Sequence, residues 1–110
     1  MVRQARCNLF SNESIAPTAS VTSASISIEK STGFFAITGT MSGTSPDIQI
    51  EYLVGDGTNF VAGSAPIVTG QTSSPIHVQF SPDLSEYLQI KVTNNAASSV
   101  TLSLQLIFTE

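Results

Sequence analysis

Hydrophobic and polar residues alternate along most of the chain from about Ser20 onward. The clearest run is at 100–108, where every second residue is apolar: Val100, Leu102, Leu104, Leu106 and Phe108. Because successive side chains of a β-strand point to opposite faces, this pattern predicts a half-buried strand. The same period predicts strands at 25–29, 34–41, 48–54, 59–62, 76–80 and 87–93. The segment 65–69 contains a proline and is expected only at a sheet edge.

Turn-forming residues separate these segments. Gly55-Asp56-Gly57-Thr58 follows one alternating run and precedes another, which predicts a β-hairpin. Seven or eight short strands, each with one apolar face, predict an all-β fold: an antiparallel two-sheet β-sandwich of immunoglobulin-like or jelly-roll topology. A closed barrel is the alternative. The sandwich is favoured because the apolar faces fill one layer between sheets and leave too little to line a cavity.

The first 18 residues show neither the period of a strand nor that of a helix. Lone apolar residues alternate irregularly with turn formers in this segment. We therefore predict two parts, an extended N-terminal arm at 1–18, which is not a strand, and a β-sandwich domain at 19–110. The arm is expected to pack only through Leu9, Phe10 and Ile15.

The chain contains few charged residues. Charged residues make up 11% of the 110 residues, against about 25% in an average soluble protein. Arg3 and Arg6 supply two of the four cations, and the remainder of the chain sets Lys30 and Lys91 against eight acids. An acidic body argues against nucleic acid as the main partner. No apolar run is long enough to span a membrane, and none at the start has the form of a secretory signal.

Candidate chemistry is sparse. His77, the single histidine, falls on the polar side of its strand with no Asp, Glu or Cys close in sequence, which favours a solvated or interface role. Cys7 has no neighbouring base and is expected to be an inert thiol packed against a neighbour. Asp47, Glu51 and Asp56 could converge on calcium, but a turn role for Asp56 is favoured. The sequence therefore assigns no catalytic residue, cofactor or metal site.

Two stretches, 48–61 and 87–102, resemble small β-sandwich structural proteins of tailed bacteriophages in their strands and turns. The resemblance covers about the last two-thirds of the chain. The segment from Ser81 to Tyr87 also resembles the tyrosine corner of fibronectin type III and immunoglobulin-like sandwiches, although Pro82 and Tyr87 are one residue further apart than usual. The first resemblance implies a non-enzymatic protein of the virion, made in the host cytoplasm, that decorates a capsid or joins a tail assembly.

The outer faces support the same expectation, since hydrogen-bonding residues such as Thr101, Ser103 and Gln105 replace the usual charges. Depletion of charge is typical of surfaces that a partner covers. We expect other virion proteins as partners and a homo-oligomer on the particle. The residues expected to contact them lie in the arm: Arg3, Arg6, Leu9, Phe10 and Ile15. A carbohydrate- or receptor-binding module is the alternative, although tryptophan is absent.

Overall fold

The computed structural model describes residues 3–110, so Met1 and Val2 of the predicted arm lie outside the described residues. The strands are β1 (Gln4–Ile15), β2 (Ser20–Thr22), β3 (Ile26–Ser27), β4 (Thr32–Ser42), β5 (Ile48–Gly55), β6 (Phe60–Ala62), β7 (Val68–Gln71), β8 (Ile76–Phe80), β9 (Tyr87–Asn94) and β10 (Val100–Thr109). All of their pairings are antiparallel. Within residues 3–110, no helix is long and apolar enough to cross a membrane.

The strands form two sheets with jelly-roll topology. One sheet has the order β1-β10-β4-β8, and the other has the order β2-β9-β5-β6, with β3 also on β9 and β7 also on β5. If β2 with β3 and β6 with β7 each count as one interrupted strand, eight strands remain, four in each sheet. The predicted two-sheet sandwich is confirmed, and of the two topologies left open by the sequence the strand order is that of the jelly roll.

The core is the single layer between the sheets. The five alternating residues of β10 are between 0% and 4% exposed, and burying each such side chain contributes about 1.5–3 kcal/mol. At one end an aromatic cluster joins the sheets. The Phe35 ring lies 5.1 Å from that of Phe108 and 5.7 Å from that of Phe80, and the Tyr52 ring lies 5.8 Å from Phe80. The predicted inward register of β10 is thereby confirmed, and Phe35 of β4 and Tyr52 of β5 also point into this layer.

The N-terminal segment differs from the prediction. It was expected to be an arm and not a strand, but residues 4–15 form β1, which pairs with β10 over nearly its whole length. Phe10 and Ile15 are 5% and 1% exposed and belong to the core. Apolar and polar residues do not alternate regularly along β1, because its register against β10 shifts between Asn8 and Phe10 and again between Phe10 and Glu13. Such bulges move later side chains to the other face.

Candidate interaction surfaces

The five residues predicted to contact a partner are divided between the core and the surface. Arg3 and Arg6 are exposed, and Leu9 is half-buried. Phe10 and Ile15 point into this subunit's own core. Leu9 also packs against that core, so Arg3 and Arg6 are the two of the five that are exposed, and partner contact through this segment stays a prediction.

The outer face of the four-stranded sheet is polar and nearly uncharged. Its central strands present small polar side chains: Thr38, Thr40, Thr101, Ser103 and Gln105. Among the side chains that the described parts of β1, β10, β4 and β8 place on this face, Arg6 is the only Lys, Arg, Asp or Glu. Its Nη1 donates a hydrogen bond of 2.6 Å to Oε1 of Gln105 in β10.

A shallow depression lies in the middle of this face, beside Arg6 and Gln105. Gly39 of β4 lies beside it, and a Cβ at that position would collide with the carbonyl oxygen of Ser103, so only glycine allows this approach of the two strands. The depression offers hydroxyl and amide groups from Asn8, Thr38 and Ser103 to whatever approaches the face. No acid or base suited to proton transfer is among these groups.

One end of the same face is apolar. Phe34 is 68% exposed, and it borders a second shallow depression together with Ala36 and Ile107. An exposed aromatic ring beside a weakly charged surface is typical of the centre of a protein–protein interface. Phe34 and Phe35 lie on opposite faces of β4, since Phe35 is 4% exposed and belongs to the core.

The outer face of the six-stranded sheet carries more charge. Nζ of Lys91 in β9 lies 3.9 Å from Oε1 of Glu51 in β5, which is a cross-strand ion pair. Such partly exposed pairs contribute about 0–1 kcal/mol, so this one adds little to stability. The outer face of the six-stranded sheet therefore carries two charges of opposite sign, whereas that of the four-stranded sheet carries one, Arg6.

The residues considered for catalysis or metal binding do not come together. His77 is exposed on the outer face of the four-stranded sheet. Burial raises the pKa of the Cys7 thiol, and the carboxylate of Glu110 raises it further, so little reactive thiolate is present at neutral pH. Within residues 3–110, no three His, Cys, Asp or Glu side chains are grouped so as to hold a metal ion.

The turn interpretation of Asp56 is confirmed. Its Oδ1 accepts hydrogen bonds from the backbone N–H groups of Thr58 at 2.9 Å and Asn59 at 2.8 Å. These two bonds, that of Asn59 first, hold the pKa of the Asp56 carboxyl below its ordinary value of 3.8. Asp47 and Asp56 lie beyond opposite ends of β5, while Glu51 lies in its middle. The three carboxylates are therefore too far apart for one calcium ion.

Tyr52, and not the predicted Tyr87, supplies the hydroxyl that anchors the loop before β9. Oδ1 of Asp83 accepts hydrogen bonds from the Tyr52 hydroxyl at 3.2 Å and from the Ser64 hydroxyl at 2.8 Å. Oδ2 accepts a third from the Ser64 N–H at 3.0 Å. Sequence reasoning missed this cluster because its members are far apart along the chain and show no common spacing.

Asp83→Ala is expected to lower the free energy of unfolding by about 1–3 kcal/mol, because three donors lose a carboxylate acceptor at a partly buried site. Urea denaturation measures the loss. Ser81→Ala, at an exposed position of the same loop, is the control and is expected to stay within about 0.5 kcal/mol of the parent. An Asp83→Ala variant as stable as this control would contradict a role of the cluster in stability.

The strand order and sheet packing define the class of this protein as a jelly-roll β-sandwich. No protein-family model matches the sequence, and no match was found among curated proteins. The fold is similar to the SPBc2 prophage-derived protein YomS, with a TM-score of 0.54 and 12% identity over 100% of this chain and 96% of that one. Identity at this level shows a shared fold and nothing further.

Two other solved structures have the same fold. A subunit of the disulfide-linked pili of Bacillus endospore appendages matches with a TM-score of 0.54 and 16% identity, over 97% of this chain and 86% of that chain. The VP2 protein of infectious bursal disease virus matches with a TM-score of 0.61 and 9% identity, over 98% of this chain and 31% of VP2. The present chain thus corresponds to one part of VP2.

Proposed function

We propose that this protein is a non-enzymatic structural subunit of a virus particle. It acts there as a capsid decoration or cement protein or as a minor head–tail component. It binds neighbouring subunits through its N-terminal segment and through the outer face of the four-stranded sheet. The observation that carries the proposal is the near absence of charge on that face, while the other face keeps the Glu51–Lys91 pair.

A surface that a neighbouring subunit covers loses its hydrogen bonds to water. Burying a charged side chain without a partner is expensive, whereas hydroxyl and amide groups exchange their bonds to water for bonds to a neighbour. A face with Thr, Ser and Gln at its centre and Phe34 at one end is suited to contact with protein. Repetition by symmetry makes many modest contacts strong together. The folds of YomS, the pilus subunit and VP2 are consistent with this role.

Co-sedimentation tests the proposal. The purified chain is mixed with capsids or tails of a tailed bacteriophage whose genome encodes it. We expect binding, and we expect Thr38→Lys to weaken it tenfold or more, because a charge is forced into the centre of the contact. Gln89→Lys, the same kind of change on the outer face of the six-stranded sheet, is the control and should bind like the parent. Absence of binding, or equal effects of both variants, would overturn the proposal.

The alternative function is a carbohydrate- or receptor-binding module. The polar depression beside Arg6 and Gln105 favours it, because jelly-roll domains include lectins and sugars are bound by such hydroxyl and amide groups. A glycan array decides between the two: specific binding that Ser103→Ala or Gln105→Ala abolishes supports the module, and no binding above background excludes a glycan ligand.

A further inference from the structure

The four-stranded sheet ends in two open edges. Within residues 3–110, β1 pairs only with β10 and β8 pairs only with β4, so the outer edge of each strand has no strand beside it. Open edges are usually protected by Lys, Pro or a bulge. Here β8 contains no charged residue and no proline, and the bulges of β1 occur only after Asn8. Regular edge segments therefore extend over residues 4–8 and 76–80.

The two edges run in opposite directions. Because the order β1-β10-β4-β8 is antiparallel at every step, β1 and β8 are antiparallel to each other. If a second copy lies beside the first in the same orientation, its β1 meets β8 of the first copy as an antiparallel neighbour. The sheet can then continue from subunit to subunit without a change in strand direction.

The residues whose backbone N–H and C=O groups point outward can be identified on both edges. Arg3 and Glu110 exchange two backbone hydrogen bonds, of 3.1 and 2.8 Å. In an antiparallel pair such bonded positions alternate with non-bonded ones, so the N–H and C=O groups of Gln4, Arg6 and Asn8 point away from β10. The same alternation, followed through β10 and β4, turns the backbone groups of His77 and Gln79 outward from β8.

The side chains restrict the register. Residues directly opposite each other point to the same face, so His77 and Gln79 must lie opposite members of the set Gln4, Arg6 and Asn8. One register places Gln79 opposite Arg6 and His77 opposite Asn8. The other places His77 directly opposite the Arg6 cation, and a two-fold pairing of β1 with itself about Arg6 would oppose two arginines. Two opposed arginines repel each other, and of the two registers between β8 and β1 the first gives the Arg6 guanidinium the amide oxygen of Gln79 as a hydrogen-bond acceptor. The first register is therefore favoured.

The same register covers apolar surface on the inner side. It places Val78 opposite Cys7 and Phe80 opposite Ala5, and all four side chains are partly buried and packed against the core of their own subunit. Joining the edges therefore extends the core layer across the boundary between subunits and removes these side chains from water.

We propose that copies of this chain join edge to edge, β8 of one to β1 of the next, with Gln79 opposite Arg6 of the neighbour. The contact is head-to-tail, so repetition closes a ring or extends a filament. It leaves the outer face of the sheet free for another partner. The proposal deepens the structural role proposed above and rests on it.

Cross-linking tests the pairing. In a Cys7→Ser background, Arg6→Cys and Gln79→Cys introduce exposed thiols at positions that would be hydrogen-bonded opposites, about 5.5 Å apart between Cα atoms, which suits a disulfide. Within one subunit the two positions are separated by three strand spacings, roughly 14 Å, which no disulfide spans. Oxidation of the concentrated double variant with copper phenanthroline is expected to give a ladder of dimers, trimers and larger species on non-reducing gels.

Single variants are the matched controls. Each alone should stay monomeric, and a mixture of the two should give dimers and nothing larger. Dimers of the Arg6→Cys variant alone would indicate two-fold pairing of β1, and a ladder through Gln4→Cys with Gln79→Cys would indicate the other register; either result overturns the proposal, as does the absence of any ladder. The assay needs no particles, so its failure is distinct from a failure to bind capsids or tails.

Discussion

Deleting residues 3–15 is expected to leave the chain without a stable fold. The deletion removes β1, and with it Phe10 and Ile15, which are 5% and 1% exposed. Truncating one core side chain of this size costs about 2–5 kcal/mol, and the whole stability of a domain is only about 5–15 kcal/mol. The inner positions of β10 would also lose their cover along one edge. Far-UV circular dichroism and thermal melting measure the loss.

Two single substitutions distinguish a strand that contributes to the core from a dispensable arm. Phe10→Ala is expected to lower the free energy of unfolding by about 3–5 kcal/mol. Asn8→Ala, two residues away and exposed, should change it by less than about 0.5 kcal/mol. A deletion variant that melts cooperatively at the temperature of the parent would show that residues 3–15 are an arm, as the sequence alone indicated, and that β1 contributes nothing to the core.

The sequence does not identify β1 as a strand because its pattern of apolar residues is locally irregular. In β10 one apolar residue follows every polar one, so the strand can be identified from the period alone. In β1 the apolar residues Leu9 and Phe10 are adjacent, and the next buried residue is Ile15. Two bulges reconcile this spacing with a continuous ladder to β10. A bulge changes the period, and its one mark in the sequence is Asn12, which has a positive φ of 51°. Asparagine is equally common in turns, so the pattern alone indicates an irregular segment.

The topology could not be predicted for a different reason. Alternation specifies which side of a strand is buried but not which strand lies beside it. The short β2 and β3 share β9, and β6 and β7 share β5, so the interrupted strands became evident only from pairing across the sheet. The polar outer residues could be predicted, whereas their concentration on one sheet could not, because Arg6 and Thr38 belong to the same face only once β1 and β4 both flank β10.

Asn94→Ala is expected to destabilise the protein by about 3–5 kcal/mol. Asn94 is fully buried. Its Nδ2 donates hydrogen bonds to the carbonyl oxygens of Ile15 at 2.9 Å and Ser98 at 3.0 Å, and its Oδ1 accepts one from the N–H of Ala96 at 2.9 Å. Alanine removes all three, and each buried group left without a partner costs about 1–3 kcal/mol. Guanidinium denaturation gives the change.

Asn95→Ala is the matched control, because Asn95 is exposed and uses its backbone N–H, not its side chain, to bind Asp47. It should unfold like the parent.

The Asn94→Ala substitution is also expected to loosen one particular part of the structure first. Asn94 joins the end of β1, the end of β9 and the loop before β10, so amide exchange in Asn94→Ala should accelerate first at Thr18, Asn94 and Ala96, whose N–H bonds depend on this junction. Uniform acceleration over both sheets, or a loss of stability below about 1 kcal/mol, would contradict the view that one buried amide fixes β1 to the rest of the sandwich.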